Sequence, residues 1–600
     1  MVRHTASGRT IGFGELAQEA SALPVPPPSQ IKLKDPSKFR YLTKGAIGIV
    51  DLHDITTGSA TYGIDSKMPG MRFAVVARPP VVGGKLVSFD ASEAMKVPGV
   101  EKVLEVKGWP WPNKFMPVGG VAVIARNTGA AIAGRDALKI VWEDGPNKSY
   151  DSAAYREEMQ NTVRQSCKVV RNDGDAESAL KSAAKVITAE YYLPHFAHAP
   201  MEPPSATVHV ANGKCLALAA TQSPGGCRSD LAKVLGIPEE NVTVEVPLLG
   251  GGFGRKSKWD YVLEAALVSQ TTGVPIKLTW TRDDDLQHDF YHTVSCERID
   301  AGVDQSGKVI AWRHRSVAPT IGSTFKPDPK YQQAFELGMG LVDVPFAIPN
   351  IRCENGEAAA HTRIGWFRSV SNIPHAFAVQ CMVAEIAAAL GRDPKDVLIE
   401  LIGPPRKIDM RNSVKDFWNY GDPVETYPID TARLTRVTEI AAREAGWGKS
   451  LPQGHGMGIA THRSFLSYIS TVVEVAVDDQ GRLSVPHVHT AVDCGFWINP
   501  ERIRSQIEGA AVMGMSLSKY GEITFKNGRA EQSNYDTFQV IRIDEAPLDT
   551  QVHIVPATED IASSGVGEPG VPPFAPALCN AIFAATGKRI RRLPIGDKVV

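Results

Sequence analysis

Residues 241–273 read NVTVEVPLLGGGFGRKSKWDYVLEAALVSQTTG, and the fold class turns on this stretch. Val242, Val244 and Val246 alternate as a strand does. The apolar-striped segment after Trp259 predicts a helix, and the glycine run Gly250 to Gly254 predicts the loop between them. Glycines in such a loop let backbone N–H groups approach an anion closely, and a helix N-terminus adds a favourable dipole. Two phosphate loops are excluded. Arg255 stands where GxxxxGK[ST] needs glycine before the lysine, and the spacing does not fit GxGxxG. By itself the loop reads as well as a tight turn as it does as an anion cradle.

The same order of strand, Gly-containing loop and helix recurs outward from there. It is visible in KCLALAATQSPGGCRSDLAKVLGI at 214–237 and in LSVPHVHTAVDCGFWINPERIRSQIEGAAVMGMSLS at 483–518. A fourth loop and helix lie in SSGVGEPGVPPFAPALCNAIFAATG at 563–587. No fixed period links these units, which disfavours solenoids and propellers. Upstream, strand-like MRFAVVARP, KVLEV and GGVAVIARN alternate with helix-like segments in a compact unit. The chain opens with a helix-like GELAQEASAL, for which the first fifty residues offer no partner, followed by the Pro-rich linker PVPPPS at 24–29. The expected class is α+β, a mixed α/β chain. Its expected parts are a partial N-terminal segment and linker (1–45), a mixed unit (46–150), a second linker (151–185) and a large domain (186–600).

At 600 residues the chain is too long for one core. With 65 basic and 66 acidic side chains, it has no electrostatic case for binding nucleic acid or an anionic membrane. Its apolar runs fall short of the roughly 20 residues that a membrane span needs, so no transmembrane segment is expected. The N-terminus has no apolar h-region. That fits a cytoplasmic location, or a periplasmic one reached with a signal-bearing partner. The eight cysteines include no CxxC pair, which leaves out zinc-ribbon, thioredoxin-like and iron–sulfur patterns and predicts mostly buried free thiols. HExxH, EF-hand and GxSxG motifs are also absent.

Several side chains stand out against this background. Gln222 offers an acceptor and a donor in a strand-to-helix loop. Asn499 suits an N-cap and Pro500 the first helical turn, with Gln506 and Glu508 just beyond. Arg363 and Arg368 flank Trp366 and Phe367, where an arginine can stack or hold an anion, or simply face solvent. His195, His198 and Glu202 have a superficially metal-like spacing, but the prolines around them favour a rigid loop. Glu568, between Gly567 and Pro569, is the best candidate base. Apolar neighbours such as Val566, Val571 and Phe574 would raise its pKa, and a following helix N-terminus would oppose that.

Taken together, GGGFGRK, ATQSP, HAPMEP, FRSV, AVDCGFWINPERIRSQIEGA, GVGEPGVPP and NAIFAATGKRIRRLPI carry a more specific signal. ATQSP and HAPMEP precede GGGFGRK in the chain. Together they resemble the molybdenum-binding subunit of the xanthine dehydrogenase/aldehyde oxidase family, in its isoquinoline 1-oxidoreductase β-subunit branch. The resemblance implies a hammerhead domain at 46–150 and a molybdopterin-binding domain at 186–600. It also implies molybdenum held by a pterin dithiolene, as the cytosine dinucleotide, with no protein side chain as metal ligand. Expected cofactor contacts are Gln222, the loop Gly252, Phe253, Gly254 and Arg255, then Arg368, Ser369, Gln506, Gly565, Val566 and Gly567. Glu568 is implied as the base for inserting a water-derived oxygen at an electron-poor sp² carbon.

An isoquinoline- or nicotinate-like ring is the leading substrate expectation. Aldehyde oxidation to a carboxylic acid and a non-catalytic scaffold are the alternatives. Trp366, Phe367, Phe465 and Tyr468 are the expected pocket walls. Electron transfer implies a small ferredoxin-like partner with [2Fe–2S] clusters, or a cytochrome c subunit in the aldehyde-oxidising branch. Members of the branch carry a further stretch ahead of SGRTIGFGELA, with loops for the pterin and its tail. Here the expectation is that a separate polypeptide supplies it or that the chain is a shortened form. Ser563-Ser564, Gln380 and Ala384 also depart from the family pattern.

Overall fold

The computed structural model describes residues 1–45 and 47–599. Three sheets carry the fold. The opening stretch forms part of the first, with Val242–Glu245 at one edge beside Lys214–Ala219. These two strands pair in parallel, Cys215 against Val242, with the helix Pro224–Leu235 between them in sequence. The helix Asp260–Thr272 follows and returns the chain to Ile276–Thr279 in the same sheet. In open α/β sheets, loops at the carboxyl ends of parallel strands are where ligands sit. Gln222 and the glycine run both lie in such loops.

Ser205–Ala211 lies between Lys214–Ala219 and Ile276–Thr279, and the last three strands of that seven-stranded sheet come from far upstream. Arg72–Ala77 pairs in parallel with Ile276–Thr279 and continues through Gly120–Ala125 to Val100–Val106. The boundary expected at 150 therefore cuts through one sheet, and the buried Val75 and Val76 are part of it. Only Lys85–Asp90 and Lys139–Glu143 form a separate two-stranded ribbon in this region.

The segment 151–185 is a correction. The sequence reading makes it a linker, but it holds the helices Ser152–Arg164 and Ala176–Ser182 and the strand Lys168–Asp173. That strand closes one edge of a five-stranded sheet against Asn350–Gly356. Its polar composition misleads because an edge strand keeps one flank in solvent.

A third sheet runs His455–Ser464, Ser467–Val477, Leu483–Asp493 and Asp549–Ile554. Packed between the second and third sheets is the helix Asn372–Leu390. It is long and apolar enough to cross a membrane, yet 83% of its apolar window is buried inside the protein. A helix that is apolar on every side belongs in a core. Gln380 is buried on it, with its Oε1 accepting from Thr461 N–H. The capping expected at Asn499 is present, with its side chain accepting from Glu501 N–H at 3.0 Å and Pro500 opening the helix Pro500–Lys519. All eight cysteines are free and all but Cys167 are buried. The helix Phe13–Ser21 buries none of its residues.

Candidate active site

The loops after the strands meet at a cavity of about 870 Å³. Its wall includes Gln222, Gly252, Phe253, Gly254, Arg368, Gln506, Gly567 and Glu568, which the sequence places in five separate segments. The glycine run is shaped by contact as well as by turn geometry. A Cβ on Gly254 would lie 1.8 Å from the carbonyl oxygen of Trp366, at a φ of 110°. A Cβ on Gly252 would meet Gln222 Oε1 at 2.5 Å. Gln222 Oε1 accepts from Gly254 N–H at 3.2 Å, and Phe253 carbonyl accepts from Arg368 N–H at 2.9 Å. Three sequence motifs are thus bonded to one another.

Buried charge holds this loop from behind. Glu202 accepts from Gly250 N–H at 2.9 Å, from Ile64 N–H at 2.8 Å, and from Lys256 Nζ. Lys258 Nζ donates to the carbonyls of Gly254 and Trp366 at 2.6 and 2.9 Å, and burial pushes its pKa down to about 7. His198 bridges Asp289 and the Trp366 carbonyl, while His195 contacts Tyr150 hydroxyl and the His292 carbonyl. The metal-like spacing of His195, His198 and Glu202 is therefore a support frame. Among the described residues no group of three His, Cys, Asp or Glu side chains is arranged to hold a metal ion.

Glu568 faces the cavity and is partly buried. Its Oε1 accepts from Ser369 N–H at 2.9 Å, and its carbonyl accepts from Ser369 Oγ at 2.7 Å. Burial raises its pKa, while the Ser369 N–H and the Arg368 guanidinium lower it. Arg368 is itself pushed down to about 10 by burial, with Glu568 opposing. Its Nε donates to the Gly567 carbonyl at 2.7 Å and its Nη2 to the carbonyl and Oε1 of Gln506. The expected opposition from a helix N-terminus is replaced by these two groups. The helix Phe574–Thr586 starts further on, and Val571 and Phe574 are core residues. Val566 packs on a separate apolar cluster, and Gly565 bonds Phe465 and Ser467 behind the wall.

Two further expected site residues also lie away from the cavity. Arg255 is fully buried against Asp260 and Asp289 and does not line the cavity. Tyr468 is also fully buried, with its hydroxyl donating to the Pro428 carbonyl and accepting from Asp430 N–H. Arg255 is held by Asp260 five residues on and by Asp289, and Tyr468 by a segment some forty residues earlier. Arg363 is likewise buried, on Asp260. Trp366, Phe367 and Phe465 do line the cavity.

Phe335, Met339, Trp418 and Tyr420 also line the cavity, with Leu249, Ser257 and Val370, and none of them is among the expected site residues. The aromatic cluster FWNY at 417–420 is visible in sequence, but no pattern ties it to the glycine loops. Phe335, Trp418, Tyr420 and Phe465 form a chain of rings with centroids 5.9, 5.0 and 5.0 Å apart. Left-handed φ values gather around the cavity at non-glycine positions: Phe253 54°, Ser369 81°, Val370 49°, Tyr420 58°, Phe465 48° and Leu466 67°. Such conformations cost about 1–3 kcal/mol each and cluster where geometry serves function.

Comparison with known proteins accounts for this arrangement. Two molybdopterin cofactor-binding domain models match residues 155–399 and 412–547. An aldehyde dehydrogenase of Gluconacetobacter polyoxogenes, described as membrane-bound and named for pyrroloquinoline quinone, is 30% identical over 98% of this chain and 77% of its own length. Isoquinoline 1-oxidoreductase subunit beta of Brevundimonas diminuta is 28% identical over 95% of this chain and 70% of its own length. Quinoline 2-oxidoreductase from Pseudomonas putida 86 superposes with a TM-score of 0.73 at 14% identity, over 93% of this chain and 97% of its own. The chain belongs to the molybdopterin cofactor-binding family, whose models cover more than half of it. It is a molybdopterin-dependent oxidoreductase of the xanthine dehydrogenase/aldehyde oxidase type.

Proposed function

We propose that this chain is the catalytic subunit of a hydroxylase that inserts a water-derived oxygen at an electron-poor ring carbon of an N-heteroaromatic. The observation carrying the proposal is a lone carboxylate, Glu568, in a cavity whose wall includes the rings of Phe253, Phe335, Trp366, Trp418, Tyr420 and Phe465. Flat rings suit such a wall because aromatic pairs are attractive at offset or edge-on contact.

The cavity's donors fit molybdopterin. Gln222 and Gln506 place carboxamides on the wall, and Gly252 and Gly254 let backbone come close where any Cβ would collide. Gln222, the 252–254 loop, Arg368 and Gln506 would hold the group, which we take to be the cytosine dinucleotide form. When bound, the cofactor supplies the two-electron oxidant. Glu568 takes the proton, Ser369 N–H and Arg368 keep it ionised, and the rings orient the substrate and exclude water.

A ferredoxin-like [2Fe–2S] subunit would accept the electrons, as the chain has no iron–sulfur cysteine motif.

Aldehyde oxidation uses the same base, and the 30% identical relative named as an aldehyde dehydrogenase favours it as the second reading. The test is turnover of the molybdenum-loaded complex in ¹⁸O water with isoquinoline and with benzaldehyde. Labelled ring hydroxylation is expected. Label only in benzoate would favour the second reading, and no turnover of either would sink both.

A further inference from the structure

The ring wall and the base share one buried side chain. Tyr420 faces the cavity with its ring, but its hydroxyl turns inward and donates to Asn372 Oδ1 at 3.0 Å. His462 Nε2 meets the same oxygen at 2.9 Å. On the other side, Asn372 Nδ2 donates to the Ser369 carbonyl at 3.0 Å, and the Asn372 backbone N–H reaches that carbonyl at 3.1 Å. A carbonyl only accepts, so Ser369 decides which way the amide faces. The oxygen is then left for Tyr420 and for a proton on His462 Nε2.

Asn372 is completely buried. The turn it grips is strained, since Ser369 and the β-branched Val370 both have left-handed φ. His292 Nε2 holds the Val370 carbonyl at 3.0 Å. From this turn Ser369 N–H points at Glu568 Oε1.

We infer that Asn372 is a positioning residue for the base: it locks the Ser369–Val370 turn in the conformation that aims an N–H at Glu568, and it ties that turn to the substrate wall through Tyr420. The inference rests on the reading of Glu568 as the base. It predicts that losing the Asn372 amide weakens the bond favouring ionised Glu568 and moves its titration to higher pH.

The surroundings make that titration legible. Arg368 is the one other charged group lining the cavity. The helix Pro500–Lys519 presents the neutral Gln506 there, and the 465 loop presents Phe465. Burial holds His462 at about 3 and His292 at about 4, so both stay neutral across the working range.

Asn372→Ala, the milder Asn372→Ser and Tyr420→Phe would be compared with the parent complex in kcat, KM, pH profile, molybdenum content and melting point. For Asn372→Ala, kcat should fall about tenfold, as expected for a lost bond to a charged group, with KM little changed. The acidic limb of kcat/KM should move to higher pH. Tyr420→Phe keeps the Asn372–Ser369 bond and should leave the limb in place. An independent readout is the Glu568 carboxyl band, taken as the infrared difference from Glu568→Gln and followed through a pH titration. A band that titrates identically with and without the Asn372 amide overturns the inference, as does a kcat loss with an unmoved limb. If Asn372→Ala does not fold, Asn372→Ser decides by the same two readouts. Full turnover in Glu568→Gln would instead remove the reading of the base, while the infrared titration still reports on Asn372.

Discussion

Glu568 is set between opposing influences of comparable reach. Burial disfavours its charge, and Ser369 N–H with Arg368 favours it, leaving the pKa above the ordinary carboxylate value. A base must be ionised to work, so activity should fall as pH drops through that raised value. The acidic limb of kcat/KM should therefore lie above the usual carboxylate range, which a pH–rate profile checks. Replacing Glu568 by Gln keeps the shape and removes the base. Turnover should drop at least about a hundredfold, the lower end of what general bases contribute. Metal analysis should find molybdenum content unchanged, since Glu568 is read as a base and not as a holding group. A matching loss of metal would make its role structural.

Loops of this site are held by buried ionic groups more than by their own turn preferences. Lys256 and Glu202 are 1% and 6% exposed at their side chains, and Glu202 also takes two backbone N–H groups. Removing one partner of a buried pair typically costs about 3–5 kcal/mol, because the other charge is left unpaired. Glu202→Gln should show a loss of that size in denaturant unfolding, although the residue makes no contact with the cavity lining beyond the loop it supports. Gly254→Ala tests the loop directly. Its Cβ would overlap the Trp366 carbonyl, so the loop must move and cofactor content should fall even where the protein still folds. Trp418 also lines the cavity, and Trp418→Ala should raise KM for ring substrates with little change in kcat, read from steady-state kinetics.

Across the whole molecule, the seven-stranded sheet joins segments more than a hundred residues apart in sequence. Arg72–Ala77 has Gly120–Ala125 on one side and Ile276–Thr279 on the other. A fragment of residues 59–145 would therefore expose one flank of a strand whose Ala74, Val75 and Val76 are buried in the intact chain. Such a fragment should fail to show a cooperative thermal transition by circular dichroism, whereas 59–599 should show one. The same continuity explains how the site is assembled. The first sheet supplies Gln222 and the glycine loop, and the third supplies Phe465 through the turn between His455–Ser464 and Ser467–Val477. The helix Asn372–Leu390 carries Asn372 at its start.

Features that depend on near neighbours in the chain were settled by sequence alone. The Asn499 cap, the strand-loop-helix order and the family motifs are of this kind, as is Glu568 isolated among glycines and prolines. Short-range sterics and hydrogen bonding decide them wherever the segment ends up. Tertiary structure decided what each side chain faces. Arg255 sits in a motif and Tyr468 in an expected pocket segment, yet pairing with Asp260 and Asp289 and with the Pro428 carbonyl draws them into the interior. Phe335, Trp418 and Tyr420 belong to no motif but reach the cavity because separate segments close on it. Burial and pairing are properties of the packed whole, because the free energy of a charge or a ring depends on which surfaces surround it.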